Sequence, residues 1–255
     1  MALAVLASAL MMAACSVKED RASCPCLLVL DFSEISQDLG GPASLYLAAD
    51  GGPFLSDVIP LNEYRGRSYI VSVPRTKMDL MLWYGGEDMV SESGLVIPLG
   101  DDCPEVYMYG ASFTTSGERP DEKVQMHKNH CRMTICATGD IAVPLSMKVT
   151  GSVAGYDGKG RPVEGAFEYM MDYADLKDGR DVVLPRQTDS SLRLLIEDND
   201  DDVKVFALGH YLESCGYDWS AADLDDVTVT VDFALTEVRL SVKGWEGVYT
   251  YEIDF

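Results

Sequence analysis

The sequence predicts an all-β fold of two antiparallel β-sandwich domains, and three observations lead to that prediction. Apolar residues alternate with others at a period of two in many short runs, as Leu28, Leu30 and Phe32 do in CLLVLDFS. Clusters rich in Gly, Asp and Pro separate these runs at intervals of roughly 10 to 15 residues. Helical periodicity is scarce. Short strands at regular spacing with turn signals between them are typical of a sandwich.

The first domain is predicted over residues 24–119. Its strands begin with CLLVLDFS, and turn-forming clusters such as DLGGP, DGGP, YGGED and GDDCP punctuate the runs that follow. In chain order these further strands are SLYLAAD, SYIVSVP, MDLMLWYGG, LVIPLG and VYMYGASF.

A polar segment, SGERPDEK at residues 116–123, contains no apolar residue and predicts a domain boundary. The second domain is therefore expected over residues 120–255, where the alternation resumes, as Met147 and Val149 illustrate. Only EYMMDYADLKDG and LESCGYDWSAADL permit a helical turn or two. The predicted strands lie in KVQMHKNHCRMTICATGD, VPLSMKVTGSV, SLRLLIED, VKVFALGHYL, VTVTVDF, EVRLSVKGW and VYTYEIDF.

The N-terminal stretch MALAVLASALMMAA, residues 1–14, is apolar or small apart from Ser8 and predicts a signal peptide. A helix of this length reaches about 21 Å, which is too short for a hydrocarbon core of about 30 Å. It ends in MAAC, which resembles a bacterial lipobox. That resemblance implies that Cys15 is the lipid attachment residue and that residues 15–23 form a lipidated acidic tether. The alternative is an ordinary signal peptide with Cys15 as a spare thiol.

The charge of the chain excludes one class of partner. The formal net charge is −22 and the isoelectric point is about 4.3. Nucleic acid requires clustered Lys and Arg, so we expect no nucleic-acid partner. The same acidity disfavours adsorption to an anionic membrane face, so membrane contact should come from the lipid.

Six cysteines remain when Cys15 carries lipid, and six cysteines allow about 15 disulfide pairings. Cys131 and Cys136 are expected on one strand facing opposite sides, which excludes a bond between them. Cys24 and Cys26 are separated only by Pro25, so a bond between these two would be strained. If they are oxidised, their partners should be distant, and Cys103 is a plausible one.

No residue pattern indicates catalysis, a cofactor or a metal. His127, His130, Cys131 and Cys136 have ligand-like spacing, but on a strand they would not converge. The acidic run EDNDDD lacks the features of an EF-hand and favours a solvated loop. The chain has no G-x-S-x-G motif and no P-loop. The tryptophans could form a sugar platform but more often belong to a core; they are Trp83, Trp219 and Trp245.

Two segments resemble the FimB-type fimbrial anchor lipoproteins of the Bacteroides group. The first is SVKEDRASCPCLLVLDFS, in which a charged tether leads into Cys-Pro-Cys and a strand ending Leu-Asp-Phe-Ser. The second is FALGHYLESCGYDWSAADLDDVTVTVDFALTEVRLSVKGW near the C-terminal end. Lys18, Glu19 and Asp20 are similar to the signal that directs lipoproteins of that group to the outer face of the outer membrane.

The resemblance implies two transthyretin-like sandwiches that anchor a fimbrium to the outer membrane and help to set its length, without catalysis. It also implies a fimbrial stalk subunit as the partner, joined by donor-strand exchange. Rival interpretations are a surface lipoprotein that binds protein or glycan without polymerising, a stalk or tip subunit, and a secreted hydrolase with a hidden carboxylate pair.

The C-terminal run YTYEIDF is a candidate subunit-contact strand. Tyr249, Tyr251, Ile253 and Phe255 alternate onto one face, and an added strand gains affinity through main-chain hydrogen bonds. The alternative is that this strand closes the sheet of its own domain.

Overall fold

The computed structural model describes residues 24–116, 119–138, 146–172, 176, 178–197, 203–232, 237–242 and 249–252. The predicted signal peptide, the tether and Cys15 therefore lie outside the described residues. No helix in the described ranges is long and apolar enough to cross a membrane.

The described chain up to residue 128 forms ten strands and one short helix. The helix, α1, is Leu61–Tyr64. The strands are β1 Cys26–Asp31, β2 Pro42–Ala49, β3 Gly52–Pro60, β4 Ser68–Val73, β5 Lys77–Tyr84, β6 Val90–Ser91, β7 Gly94–Val96, β8 Tyr107–Thr114, β9 Asp121–Lys123 and β10 His127–Lys128.

The described chain beyond residue 129 forms nine strands and a second helix. The helix, α2, is Leu208–Ser214. The strands are β11 His130–Thr138, β12 Ser146–Asp157, β13 Pro162–Asp172, β14 Arg180–Pro185, β15 Arg193–Glu197, β16 Val203–Phe206, β17 Val227–Asp232, β18 Glu237–Val242 and β19 Tyr249–Glu252.

The first sandwich packs the sheet β4-β1-β9 on the sheet β10-β8-β5-β2-β3. Alternate residues of each strand enter the core, because successive side chains of a strand point to opposite faces. Leu28 and Leu30 of β1 lie in one core with Leu45 and Leu47 of β2, and each is at most 2% exposed. This pattern confirms the alternation expected from CLLVLDFS.

The second sandwich has one sheet in the order β14-β11-β17-β18-β19 and another in the order β16-β15-β12-β7-β6, with β13 also paired to β12. The hairpin β6–β7 comes from the first half of the chain, so the two halves share a sheet. Strand β5 is buried on both faces: Leu82 lies in the first core, whereas Met81 and Trp83 lie in the second. The near-continuous apolar run of β5 reflects this burial on two sides.

The all-β, mainly antiparallel fold expected from the sequence is confirmed, with details that the pattern did not contain. Two neighbouring pairs, β1 with β9 and β11 with β17, run parallel. The expected helical turn at residues 168–179 is wrong for its first part, because Glu168 to Asp172 belong to β13. The cross-strand pairing of β13 with β12 there outweighs local propensity.

The expected division after residue 119 falls between β8 and β9. However, β9 pairs with β1, and Val124 is fully buried in the first core. The strands of the first sandwich therefore extend past residue 119 to β10, His127–Lys128, and polar composition alone did not indicate where they end.

Candidate subunit interface

One side of the second sandwich is covered by a segment of the first half of the chain. The amide of Gly100 donates to the carbonyl of Glu168 on β13 at 2.9 Å, and the amide of Cys103 donates to the carbonyl of Val183 on β14 at 3.1 Å. The carboxylate of Asp102 accepts a hydrogen bond from the amide of Val183 at 3.1 Å. Burial raises the pKa of this carboxyl group. The segment 97–103 therefore occupies main-chain groups at the outer edges of both strands.

The opposite side of the second sandwich, which we call the open side, consists of the edge strands β16 and β19. Each is the last strand of its sheet, and no strand in the described parts of the chain pairs with its outer edge. An outer edge presents main-chain donors and acceptors that can bind a further strand. The open side is thus the region of the second sandwich best suited to strand addition.

Strand β16 presents apolar side chains on this side. Val203 is 47% exposed and Val205 is 53% exposed, whereas Phe206 is buried. Val205 pairs with Leu195 of β15, which is half-buried, so apolar surface continues from the edge strand onto its neighbour. Exposed apolar residues at a sheet edge mark either an aggregation hazard or a contact surface for a partner.

Strand β19 contains two of the four residues of the candidate contact strand. Tyr251 pairs with Val238 of β18, and Tyr249 pairs with Leu240. Ile253 and Phe255 lie outside the described residues. The strand extends the sheet of its own sandwich by pairing with β18, and its outer edge belongs to the open side.

The outer edge of β3 in the first sandwich is less suitable for strand addition. Pro53 and Pro60 have no main-chain N–H, and Asp57 places a carboxylate near the middle of the strand. That carboxylate accepts a hydrogen bond from the hydroxyl of Tyr69 on β4 at 2.6 Å. Prolines and charges on an edge are common devices against strand pairing.

The candidate disulfide cysteines are separated by the fold. Cys24 is exposed, Cys26 is buried in the first core, and Cys103 is buried in the second. All three are free thiols here, so a disulfide between Cys103 and either of the others stays a prediction. Cys131 is fully buried on β11, whereas Cys136 on the same strand is partly exposed, as their opposite faces predict.

The histidines of the ligand-like motif have structural partners. A ring nitrogen of His130 lies 3.1 Å from the carbonyl of Val106, and burial lowers the pKa of this histidine. His127 contacts Asp223 at 3.3 Å. In the ranges that the structure covers, no group of three or more His, Cys, Asp or Glu residues could hold a metal ion.

Two tryptophans belong to the second core, as expected for a sandwich of this size. Trp83 is 1% exposed and contacts Tyr156 edge-on, with ring centroids 6.2 Å apart. Trp219 is 7% exposed and contacts Tyr217 edge-on at 4.6 Å. Trp245 lies outside the described residues.

The arrangement is similar in fold to solved structures described as fimbrial proteins and adhesins. Over 87% of this chain and 98% of the other, it is similar to the fimbrial anchor protein Mfa2 from Porphyromonas gingivalis, with a TM-score of 0.59 and 10% identity. A candidate adhesin from Bacteroides ovatus aligns with a TM-score of 0.63 and 10% identity over 90% of this chain and 96% of the other. A candidate polysaccharide-binding protein from Bacteroides thetaiotaomicron aligns with a TM-score of 0.63 and 14% identity over 90% and 98%.

Comparison by sequence finds no matching protein-family model and no matching curated protein. The likeness is therefore one of fold, and it confirms the fold expected from the resemblance to fimbrial anchors. The role of segment 97–103 was not predicted from the sequence. The strands that it contacts, β13 and β14, lie far from it along the chain.

Proposed function

We propose that this chain is a non-enzymatic cell-surface lipoprotein that anchors a fimbrium to the outer membrane and influences its assembly or length. Lipid on Cys15 holds the protein to the membrane, and a fimbrial stalk subunit is its partner. The protein faces the outside of the cell.

The observation that carries this proposal is the open side of the second sandwich. On the covered side, main-chain groups at the edges of β13 and β14 already bind segment 97–103. On the open side, β16 and β19 end their sheets among the described strands. A strand from the stalk subunit would gain main-chain hydrogen bonds there, and Val203 and Val205 would supply apolar contacts. The fold likeness to a fimbrial anchor supports the same assignment.

The membrane end of the chain lies on the other sandwich. Cys24 is exposed beside β1, and its carbonyl accepts a hydrogen bond from Nε of Arg75 at 3.0 Å. A tether formed by residues 15–23 would leave from this fixed point on the first sandwich. Two or more acyl chains hold a protein on a membrane much more firmly than one.

Electron microscopy of cells and culture medium tests the proposal, with a Cys15→Ala strain compared with wild type and with a Cys24→Ala strain as the matched control. The anchor role predicts fibres in the medium for Cys15→Ala alone, and alkyne-palmitate labelling that is lost only in that variant. Fibres that stay attached and unchanged in the Cys15→Ala strain would contradict anchoring. Removal of the N-terminal segment from the mature protein would instead indicate a stalk or tip subunit.

A further inference from the structure

A groove lies between the first sandwich and two turns of the second sandwich, the β6–β7 turn and the β12–β13 turn. Its cavity volume is about 720 Å³, which lies within the range of small-ligand sites, roughly 300–1,000 Å³. The floor is the outer face of the sheet containing β2, β5 and β8, and the walls are the β6–β7 turn and the β12–β13 turn. None of the functional assignments above uses this groove.

The floor consists of two cross-strand rows that combine apolar and polar groups. In one row Met81 of β5 pairs with Tyr46 of β2 and with Gly110 of β8. In the next row Asp79 takes the place of Met81, between Ala48 and Ser112. The small residues leave space above the sheet, and the half-buried ring of Tyr46 borders it.

The groove is preformed before any ligand binds, because close backbone packing holds its two walls together. A Cβ atom at Gly158 would lie 2.4 Å from the carbonyl oxygen of Glu92, so only glycine lets the two turns approach this closely. A site that is already ordered loses less conformational entropy when it binds a ligand.

Four of the five charged residues that line the groove form two ion pairs, and the fifth is the exposed carboxylate of Glu92. Asp79 accepts a hydrogen bond from Ser112 and pairs with Nζ of Lys159 at 3.2 Å. The Ser112 hydroxyl, followed by the Lys159 ammonium, lowers the pKa of the Asp79 carboxyl. Nε of Arg161 donates to the carboxylate of Asp157 at 2.8 Å. An anionic ligand would find no unpaired cation among these pairs and would meet a protein of net charge −22.

The floor also disfavours a peptide that binds as an added strand. Strands β2 and β5 are paired along both sides, so their main-chain groups are already used. Strand β8 is paired on its outer side only at Tyr107 and Met108. Recognition over β2 and β5 must therefore rely on side chains: carboxylate, ammonium and hydroxyl groups beside the half-buried ring of Tyr46. Such a set suits a neutral ligand that has hydroxyl groups around an apolar ring face.

We propose that this groove binds a neutral oligosaccharide. Asp79 and Lys159 exchange hydrogen bonds with sugar hydroxyls, and the apolar face of a sugar ring packs against the half-buried ring of Tyr46. The inference does not depend on fimbrial anchoring, because the groove is remote in the topology from β16 and β19.

The test uses the detergent-solubilised full chain on an array of neutral oligosaccharides of two to six sugars together with sialylated and sulfated counterparts. The variants are Asp79→Asn and Tyr46→Ala, and the control is Glu164→Gln, which alters an exposed carboxylate on β13 outside the groove. Thermal melting checks that each variant is folded; because Tyr46 also packs against the second core, the near-isosteric Asp79→Asn variant is the decisive one.

The proposal expects a signal for neutral oligosaccharides that falls at least tenfold in Asp79→Asn and is unchanged in Glu164→Gln. No binding of any neutral oligosaccharide by wild type would overturn it. Binding confined to acidic glycans, or neutral binding that a folded Asp79→Asn variant retains in full, would overturn it as well.

Discussion

The two sandwiches differ in how much of the chain each requires. The core of the first is assembled from residues between Cys26 and Val124, a continuous part of the sequence. The core of the second takes Trp83, Leu95 and Cys103 from the first half and combines them with strands β11 to β17. The first is therefore a sandwich closed largely by its own segment, whereas the second depends on residues that precede the expected boundary.

The second sandwich has one side that segment 97–103 covers and one open side. The covering segment comes from the first half of the chain. Segment 97–103 covers the edges of β13 and β14, whereas the hairpin β6–β7 pairs with β12 beyond the part that β15 occupies. Only β16 and β19 end the described sheets on the other side. A partner strand would thus be directed to one side of the molecule.

The largest effect is expected from breaking the junction between β7 and β12. A Cβ atom at Gly94 would lie 2.0 Å from the carbonyl oxygen of Tyr156, at a φ of +116°. We expect Gly94→Ala to lower the free energy of unfolding by more than about 4 kcal/mol, because the backbone must separate. Gly51 also has positive φ, but nothing lies within 4 Å of its Cβ position, so Gly51→Ala should cost only about 1–2 kcal/mol. Equal losses in urea titrations of the two variants would contradict the proposed junction.

Truncation of a core side chain should destabilise mainly the sandwich that contains it. Leu95→Ala and Leu45→Ala each remove a fully buried side chain, so each should cost about 2–5 kcal/mol. Hydrogen-exchange mass spectrometry should show lost protection in β12 and β15 for Leu95→Ala, and in β1 and β2 for Leu45→Ala. Loss of protection in β1 rather than β12 for Leu95→Ala would mean that the hairpin belongs to the first sandwich.

A smaller loss is expected at Arg186, which ties a loop to the second sandwich. Its Nη1 donates to the carbonyl of Ala221 at 2.7 Å, and its Nε donates to the side chain of Asn129 at 3.1 Å. Arg186→Ala leaves these acceptors without their donor and should cost about 2–3 kcal/mol in chemical denaturation. The exposed Arg193 on β15 provides the control, and Arg193→Ala should change stability by less than about 0.5 kcal/mol.

The smallest effect concerns His130, which is buried in the second half and has a lowered pKa because of desolvation. The His130 side chain takes up a proton more readily in the unfolded chain than in the folded one. As the pH falls below the ordinary histidine pKa of about 6.5, protonation therefore lowers the free energy of unfolding. One such group changes stability by at most about 1.4 kcal/mol per pH unit. The difference between wild type and His130→Gln in urea midpoints should therefore change between pH 7.5 and pH 5.5; a constant difference would show that His130 does not titrate in this range.

Much of the strand content could be predicted from alternation, as in β1, β2 and β5, because a half-buried strand repeats at a period of two. The continuous apolar run in β5 indicated burial on two faces, but only the structure shows that two different cores cause it. The strands β3, β13 and β14 were not predicted. Polar residues and glycines interrupt the alternation in β3 and β13, and three consecutive apolar residues hide it in the short strand β14, RDVVLP. The open side could not be predicted either, because it depends on which edges the segment 97–103 covers.

Site-specific photo-crosslinking on intact fimbriated cells tests most directly whether the open side binds the stalk. A photoreactive phenylalanine replaces Val205 on β16 or, as a matched control, Val58 on β3; both valines are exposed, at 53% and 61%. The account predicts an adduct with the fimbrial stalk subunit from position 205 and none from position 58. A stalk adduct from position 58 alone, or from neither position on cells that carry fibres, would contradict attachment at the open side.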